Sequence, residues 1–440
     1  MDVAFQAELS AWSHLLSQLG KRNPVLVSHL AQWQNASLKD YVDYLWHALS
    51  RNMQCPVNPS FFNLISSACR SRFNDDTKLR GQLTDSPVVL SAHHTAPLFH
   101  PLAIQSLLVA SAGRKAPAVV PVLSTDWVPM DNLFYPRGLL LPGKSGLQQI
   151  NLFPKSCKKK MVSHMEPFTT SDVSKALSAI QKKYRSGDID SKKKKSYELL
   201  LGEFYSNSDV LALQSYAEQC ALLNHKMCQQ AIPDVEFLFF NVSELAIDLL
   251  ITELENNDSL MYRLLFDKNC RDNVVEKFDG VSGCWNRKAG QGSILFWQCS
   301  GSKMVPFLSY DGCHLNSEQG RLVLKPESVM AGLREGSIIP GMCLVFSLLM
   351  FSMGLVCVGG MRQITYTKAI REILVDVVDS NTEVIARHPV ESFVAGLYAR
   401  THLDGSPVLI SELLDESVTL RKRTFADAVL AASDELLALS

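Results

Sequence analysis

Residues 87–124 read PVVLSAHHTAPLFHPLAIQSLLVASAGRKAPAVVPVLS, and the order of textures in this stretch decides the fold. Val88, Val89 and Leu90 form a short apolar run, residues 93–97 break it, and residues 98–112 carry helical periodicity up to Gly113. A second apolar run follows from Ala118 to Leu123. Strand, loop, helix and strand within about forty residues make a βαβ unit, because parallel neighbours need a crossover connection. The unit predicts an α/β protein with a Rossmann-like, doubly wound parallel sheet.

Outward from this unit, residues 1–80 show helical spacing broken at Asn23-Pro24, at 35–37 and at 56–59, which predicts about four helices. Residues 235–240 (VEFLFF) read as a strand returning to the sheet, followed by a helix over 243–255. Between these parts, residues 155–195 hold twelve Lys or Arg against four acids, which reads as a solvated helical hairpin inserted between core strands. Residues 293–324 alternate short strands around an Asp311-Gly312 turn and predict a small antiparallel meander.

Residues 338–360, IIPGMCLVFSLLMFSMGLVCVGG, contain no ionised group and are nearly long enough to span a bilayer. Pro340 at a helix start and Gly354 at a helix end argue instead for a helix and then a buried strand over 355–358. A membrane anchor is the competing reading. Residues 407–440 read as helical, acidic near Ser411 and basic near Thr419. The expected organisation is a helical N-terminal region (1–80), the first part of the core (81–155), a basic helical insertion (156–232), the second part of the core (233–400) with the meander at about 290–325, and a C-terminal helical region (401–440).

Composition narrows the function classes without naming one. The 440 residues carry 43 Lys plus Arg against 44 Asp plus Glu, so bulk charge selects neither nucleic acid nor membrane. Eleven cysteines without a C-x-x-C pair indicate neither a disulfide framework nor a zinc ribbon and fit a reducing cytoplasm. The N-terminus, MDVAFQAELSAWSHLLSQLGKR, reads as an amphipathic helix rather than a secretory signal, so a cytoplasmic location is expected.

Three turns bear groups that carry chemistry. The first is SAHHTAPLFH, residues 91–100, at the carboxyl edge of the first strand, where open α/β sheets place their ligands. His93 and His94 there offer donors for an anion or a base near pH 7, with Thr95 beside them; a purely structural role is the alternative. No carboxylate or Cys lies at ligand spacing, so no metal site is expected, and His100 is expected to pack inside the following helix. The second turn is STDWVPMDN, residues 124–132, where Asp126 and Asp131 would orient an amine, a ribose or Mg²⁺, or simply cap the strand.

The third turn, VGGMRQITY at residues 358–366, lets backbone approach a ligand at Gly359 and Gly360 and presents Arg362, Gln363 and Tyr366. It is neither a dinucleotide fingerprint nor a P-loop, and no nucleophile elbow or zinc-protease motif occurs.

In order along the chain, VVLSAHHTAPLFHP, VVPVLSTDWVPMDN, LFWQCSGSKMVPFLSYDG, LKPESVMAGLREGSIIPG and GLVCVGGMRQITY resemble segments of the bacillithiol-synthesis cysteine-adding enzyme (BshC) family. That family has a Rossmann-like core related in layout to class I aminoacyl-tRNA synthetases. The resemblance covers about residues 85–375; Gly359, Gly360, Arg334 and Tyr366 agree with its motifs. His93 and His94 stand where the family has two glutamines, Ala92 where it has a turn glycine, and Gln363 where it has Glu.

The resemblance implies a ligase-type enzyme joining an amino acid or related carboxylate to an amine of a small metabolite, with ATP or another nucleotide and Mg²⁺. In that reading His93 and His94 bind phosphate or move a proton, Asp126 and Asp131 orient the amine or a metal, and Thr95, Arg334, Gly359, Gly360, Arg362, Gln363 and Tyr366 bind substrate or nucleotide. An oligomer is compatible with it. The alternative is a non-catalytic binding or regulatory protein that holds RNA or another polyanion on the Lys192 to Lys195 helices.

Overall fold

Val88–Leu90, Ala118–Ser124, Val235–Asn241 and Val356–Gly360 are strands of one sheet, here β1 to β4, and Phe393–Ala395 is β5. All pairings are parallel and the spatial order is β5-β4-β1-β2-β3. The structure, a computed structural model, describes residues 3–49, 56–116, 118–144, 146–379, 382–398, 410–414 and 424–439. The chain moves outward from β1 to β3 and then returns to the other side of β1. The strand order therefore reverses between β1 and β4, and at such a switch point the loops leaving the two strands diverge and open a crevice.

Side-chain alternation divides the core in two. Val88, Leu90, Val120, Val122, Val356 and Val358 enter one hydrophobic cluster, whereas Val89, Val119, Leu123 and Cys357 enter the other, so the sheet is buried on both faces. Continuous apolar runs are what a doubly covered parallel strand requires. The first crossover helix, α1 (Pro101–Ala110), is buried at every position from Leu102 to Ala110. It starts later than the periodicity from 98 suggests: His100 is its N-cap, half-buried, accepting the Leu102 N–H, rather than packing inside it.

The N-terminal helices are built into both faces. Leu26 and Tyr41 join the first cluster, and Phe61, Ile65 and Leu79 the second. Tyr41 reaches across to β5, where its hydroxyl donates to Phe393 O at 2.8 Å. Between β2 and β3 lies a hairpin that the sequence pattern does not predict, Gly138–Gly143 with Gly146–Asn151, followed by the basic helices Thr170–Arg185 and Ser191–Leu200. Helix α2 (Tyr216–Ala231) then leads into β3, and α3 (Val242–Leu254) leaves it.

The meander forms as two three-stranded antiparallel sheets rather than one. Phe296–Ser300 lies between Lys303–Pro306 and Ile338–Pro340, while Ser309–Tyr310, His314–Ser317 and Gly320–Val323 form the other sheet. Pro340 thus ends a strand, and the helix begins at Met342 with Gly341 as its N-cap. The uncharged stretch 338–360 is broken into a strand, the helix Met342–Phe346, a π-helical turn Ser347–Ser352 and β4. Among the described residues no helix is long and apolar enough to cross a membrane.

At the C-terminal end, Ile410–Leu413, Phe425–Leu430 and Ser433–Leu439 are helical. The basic stretch near Thr419 lies outside the described residues.

Candidate functional site

Beyond Leu90 the backbone stays extended. Ser91 N–H donates to Val358 O at 2.8 Å, Thr95 N–H to Thr125 O at 2.8 Å and Thr125 N–H to His93 O at 3.0 Å, so His94 and Thr125 form a parallel bridge. Alternate side chains of extended backbone face opposite ways, and this separates the two histidines. His93 turns inward, 3% exposed, with Nε2 2.9 Å from Ser106 Oγ. Burial pushes its pKa down to about 3, so its ring is neutral.

His94 turns to the crevice and is half-buried, with Nδ1 2.9 Å from Asn132 Oδ1. The same Oδ1 accepts the Phe134 N–H at 3.2 Å, which identifies it as the oxygen of the amide. The proton of the neutral imidazole therefore sits on Nδ1, and Nε2 is left as the acceptor. Burial lowers the His94 pKa and outweighs the Asn132 hydrogen bond, so the ring is predominantly neutral at pH 7. A neutral ring with a fixed tautomer is the form a general base needs.

The glycine corner at the end of β4 is shaped by Gln363, the first residue of α4 (Gln363–Val377). Its side chain folds back so that Nε2 donates to Cys357 O at 2.8 Å, while Oε1 accepts from Ser91 Oγ at 3.0 Å and from the Tyr366 hydroxyl at 3.3 Å. A Cβ on residue 359 would lie 1.6 Å from that Oε1, so any side chain there would have to displace the Gln363 amide from its three hydrogen bonds. Gly359→Ala is expected to expel the Gln363 amide and destabilise the protein by about 1–3 kcal/mol. Because the clash is with Gln363, adding Gln363→Ala should cost much less in the Gly359→Ala background than in the wild type. Thermal midpoints of the two single variants and the double variant measure this coupling, and simple additivity would contradict it.

Two cavities meet at this corner. The inner one, about 230 Å³, is walled by Trp127, Trp297 and Phe346; the outer one, about 380 Å³, by Phe134, Gly360 and Arg362. Ser91, His94, Met342 and Tyr366 line both. The histidine turn, the residues after β2 and the glycine corner are thus brought together through His94, Thr125, Gly360, Arg362, Gln363 and Tyr366. A further cavity of about 410 Å³, lined by Arg72, His225 and Lys226, contains none of them.

Other expected site residues are placed elsewhere. Asp126 is 1% exposed and caps α3, accepting the Ser243 N–H at 3.1 Å and the Ser243 hydroxyl. Burial pushes its carboxyl up to about 6 although both Ser243 bonds pull it down. It lines neither cavity. Asp131 is exposed, its backbone N–H bonded to Lys158 O; Thr95 is buried with Oγ1 donating to Asn241 Oδ1; Arg334 is exposed and paired with Glu255 at 2.9 Å.

Among the described residues no group of three or more His, Cys, Asp or Glu is arranged to hold a metal ion. In the basic insertion Lys175, Lys183 and Lys194 are neutralised by Asp172, Asp188 and Glu198, while Lys192 and Lys195 are exposed. Ser91, Thr125, Trp297 and Met342 join the site without having been singled out by sequence. Ser91 and Thr125 follow strand ends and were open to recognition on that ground, whereas Trp297 and Met342 carry no local signal.

Fold and crevice together define a Rossmann-like α/β protein with a ligand-sized opening at the switch point of its sheet. No protein-family model matches the chain, and no curated protein matches its sequence.

Proposed function

We propose that the crevice is the active site of a ligase-type biosynthetic enzyme that joins an amino acid or related carboxylate to an amine of a small metabolite. One observation carries this reading: two separate chambers meet at a single neutral imidazole, His94. A reaction that joins two molecules needs each held by its own walls and their reacting ends brought to a common base. The resemblance to the bacillithiol-synthesis enzymes supports the same reaction class.

In this reading the amine nitrogen attacks the activated carboxyl carbon, and the C–N bond forms as the C–O bond to the activating phosphate or nucleotide group breaks. That group departs with the bond's electron pair, and His94 Nε2 takes the proton the amine loses. Asn132 holds the ring in the tautomer that can do so. The Ser91 and Tyr366 hydroxyls lie beside the junction and position the reacting ends. A nucleotide supplies the carboxyl with its leaving group when bound. The outer chamber suits it: at Gly360 a Cβ would meet nothing nearer than Ala395 Cβ at 3.9 Å, so backbone is open to approach, and Arg362 is exposed at the rim.

The test is a thermal-shift screen with amino acids, small amines and nucleotides, singly and in pairs. A ligand at ~100 times its dissociation constant adds ~2.7 kcal/mol of stability. The expected result is a pair from different classes that stabilises more than either member, followed by appearance of an amide product. Stabilisation by single ligands only, with no product from any pair, would contradict the proposal.

A further inference from the structure

The two chambers offer different walls. Among the described residues no Asp, Glu, Lys or Arg lines the inner one; its polar side-chain groups are the Ser91, Thr125 and Tyr366 hydroxyls, the Trp127 and Trp297 indole N–H groups and the neutral His94 ring. Burial raises the Tyr366 pKa, so that phenol stays protonated. An ionised group entering this chamber would lose its hydration and meet no opposite charge. The occupant is therefore uncharged where it is buried.

Shape and surface narrow it further. Trp127 and Trp297 are both half-buried and both line the cavity, one from the turn after β2 and the other from the strand Phe296–Ser300. Val345, Phe346 and Leu349 add apolar wall. Indole surface left unpacked by protein and lining an apolar chamber is a stacking surface for a second ring. At about 230 Å³ the chamber lies below the roughly 300–1,000 Å³ of pockets that take drug-sized ligands, so one fused ring system with a short tail fills it.

We propose that the inner chamber is the specificity subsite for an uncharged planar aromatic group, of indole or purine size, belonging to one substrate. Its polar tail reaches His94 at the junction, where the outer chamber delivers the other reactant. This rests on the reading of the crevice as a two-substrate site and adds the chemical class of one of them. An aromatic amino acid and a nucleobase share this chemistry, and the arms of the experiment separate them.

The full chain is titrated by calorimetry with indole, L-tryptophan, adenine and adenosine, and with glutamate and lysine as charged aliphatic probes. One aromatic pair is expected to bind and both charged aliphatics to fail; the pair that binds names the source of the ring. Trp297→Ala should weaken aromatic binding about tenfold, while Trp297→Phe, which keeps a ring face, stays within a few-fold. Folding of each variant is verified by its thermal midpoint. Absence of aromatic binding in the wild type, equal binding of glutamate or lysine, or unchanged affinity in folded Trp297→Ala would overturn the subsite.

The amide-product assay keeps this result separate from the wider reading. Aromatic binding without product from any pair retains the subsite and removes the ligase reading. Product from aliphatic substrates alone does the reverse.

Discussion

Replacing His94 by alanine is expected to lower turnover by about 10²–10⁴-fold with little loss of stability, the usual contribution of a positioned general base. The ring is half-buried, lines both cavities, is bonded to Asn132 and meets Phe134 on one side, with ring centroids 5.0 Å apart, while the rest of it borders open space, so its removal takes away chemistry more than packing. His93→Ala is the control. That imidazole lines neither cavity and is packed against Phe239 with a Ser106 bond, so its loss should cost about 1–3 kcal/mol of stability and much less activity. Asn132→Ala should fall between: the base remains, but its proton is free to move to Nε2. Turnover and thermal midpoint of the three variants decide the matter, and full turnover in His94→Ala would end the catalytic assignment.

Acidification from pH 6.5 to about 4 is expected to destabilise the fold by several kcal/mol. Burial pushes His29 and His388 down to about 4 and His93 to about 3, from an ordinary value near 6.5. Between those values the unfolded chain binds more protons than the folded one. Stability is therefore full above pH 6.5 and is lost progressively as pH falls through the window. Each tenfold weakening of proton binding on folding corresponds to about 1.4 kcal/mol, so three such rings together rival the ~5–15 kcal/mol stability of a whole domain.

Asp126 works in the opposite sense. Its carboxyl, raised to about 6, binds protons more tightly in the folded state and gains stability on acidification; burial raises the Glu253 carboxyl in the same sense, while His94 and His225, lowered by burial, add to the three rings on the other side. Urea midpoints at pH 7, 6, 5 and 4 should decline, and His388→Gln, which removes the ring bonded to Leu355 O, should flatten part of the decline. A midpoint that holds constant or rises from pH 6.5 to 4.5 would contradict this.

The sheet was legible where burial on both faces leaves a continuous apolar run, as in Val88–Leu90, Ala118–Ser124 and Val235–Asn241. Phe393–Ala395 was not: three residues are too few to carry a period, and the strand is fixed by Gly359, Gly360 and the Tyr41 hydroxyl, all distant in sequence. The hairpin Gly138–Gly143 with Gly146–Asn151 escaped because its first strand is largely buried and its second largely exposed, so the two share no pattern.

In the site, the position of the histidine turn at a strand's carboxyl edge was readable, but which of two adjacent rings faces the crevice depends on strand parity. That parity is set by the bridge to Thr125. Asp126 was visible as a carboxylate at a strand end, while the partner that makes it a helix cap, Ser243, is 117 residues away. Trp297 and Phe346 become walls only through the tertiary fold.

The most direct test is the ¹⁵N spectrum of the His94 imidazole, assigned by comparison with His94→Gln and recorded at pH 7 with and without the substrates found by the ligand screen. The expected spectrum is a neutral ring with the proton on Nδ1, whose Nε2 resonance shifts when either substrate binds and moves furthest with both present. A charged ring, the opposite tautomer, or a resonance indifferent to both ligands would contradict a crevice built around that nitrogen.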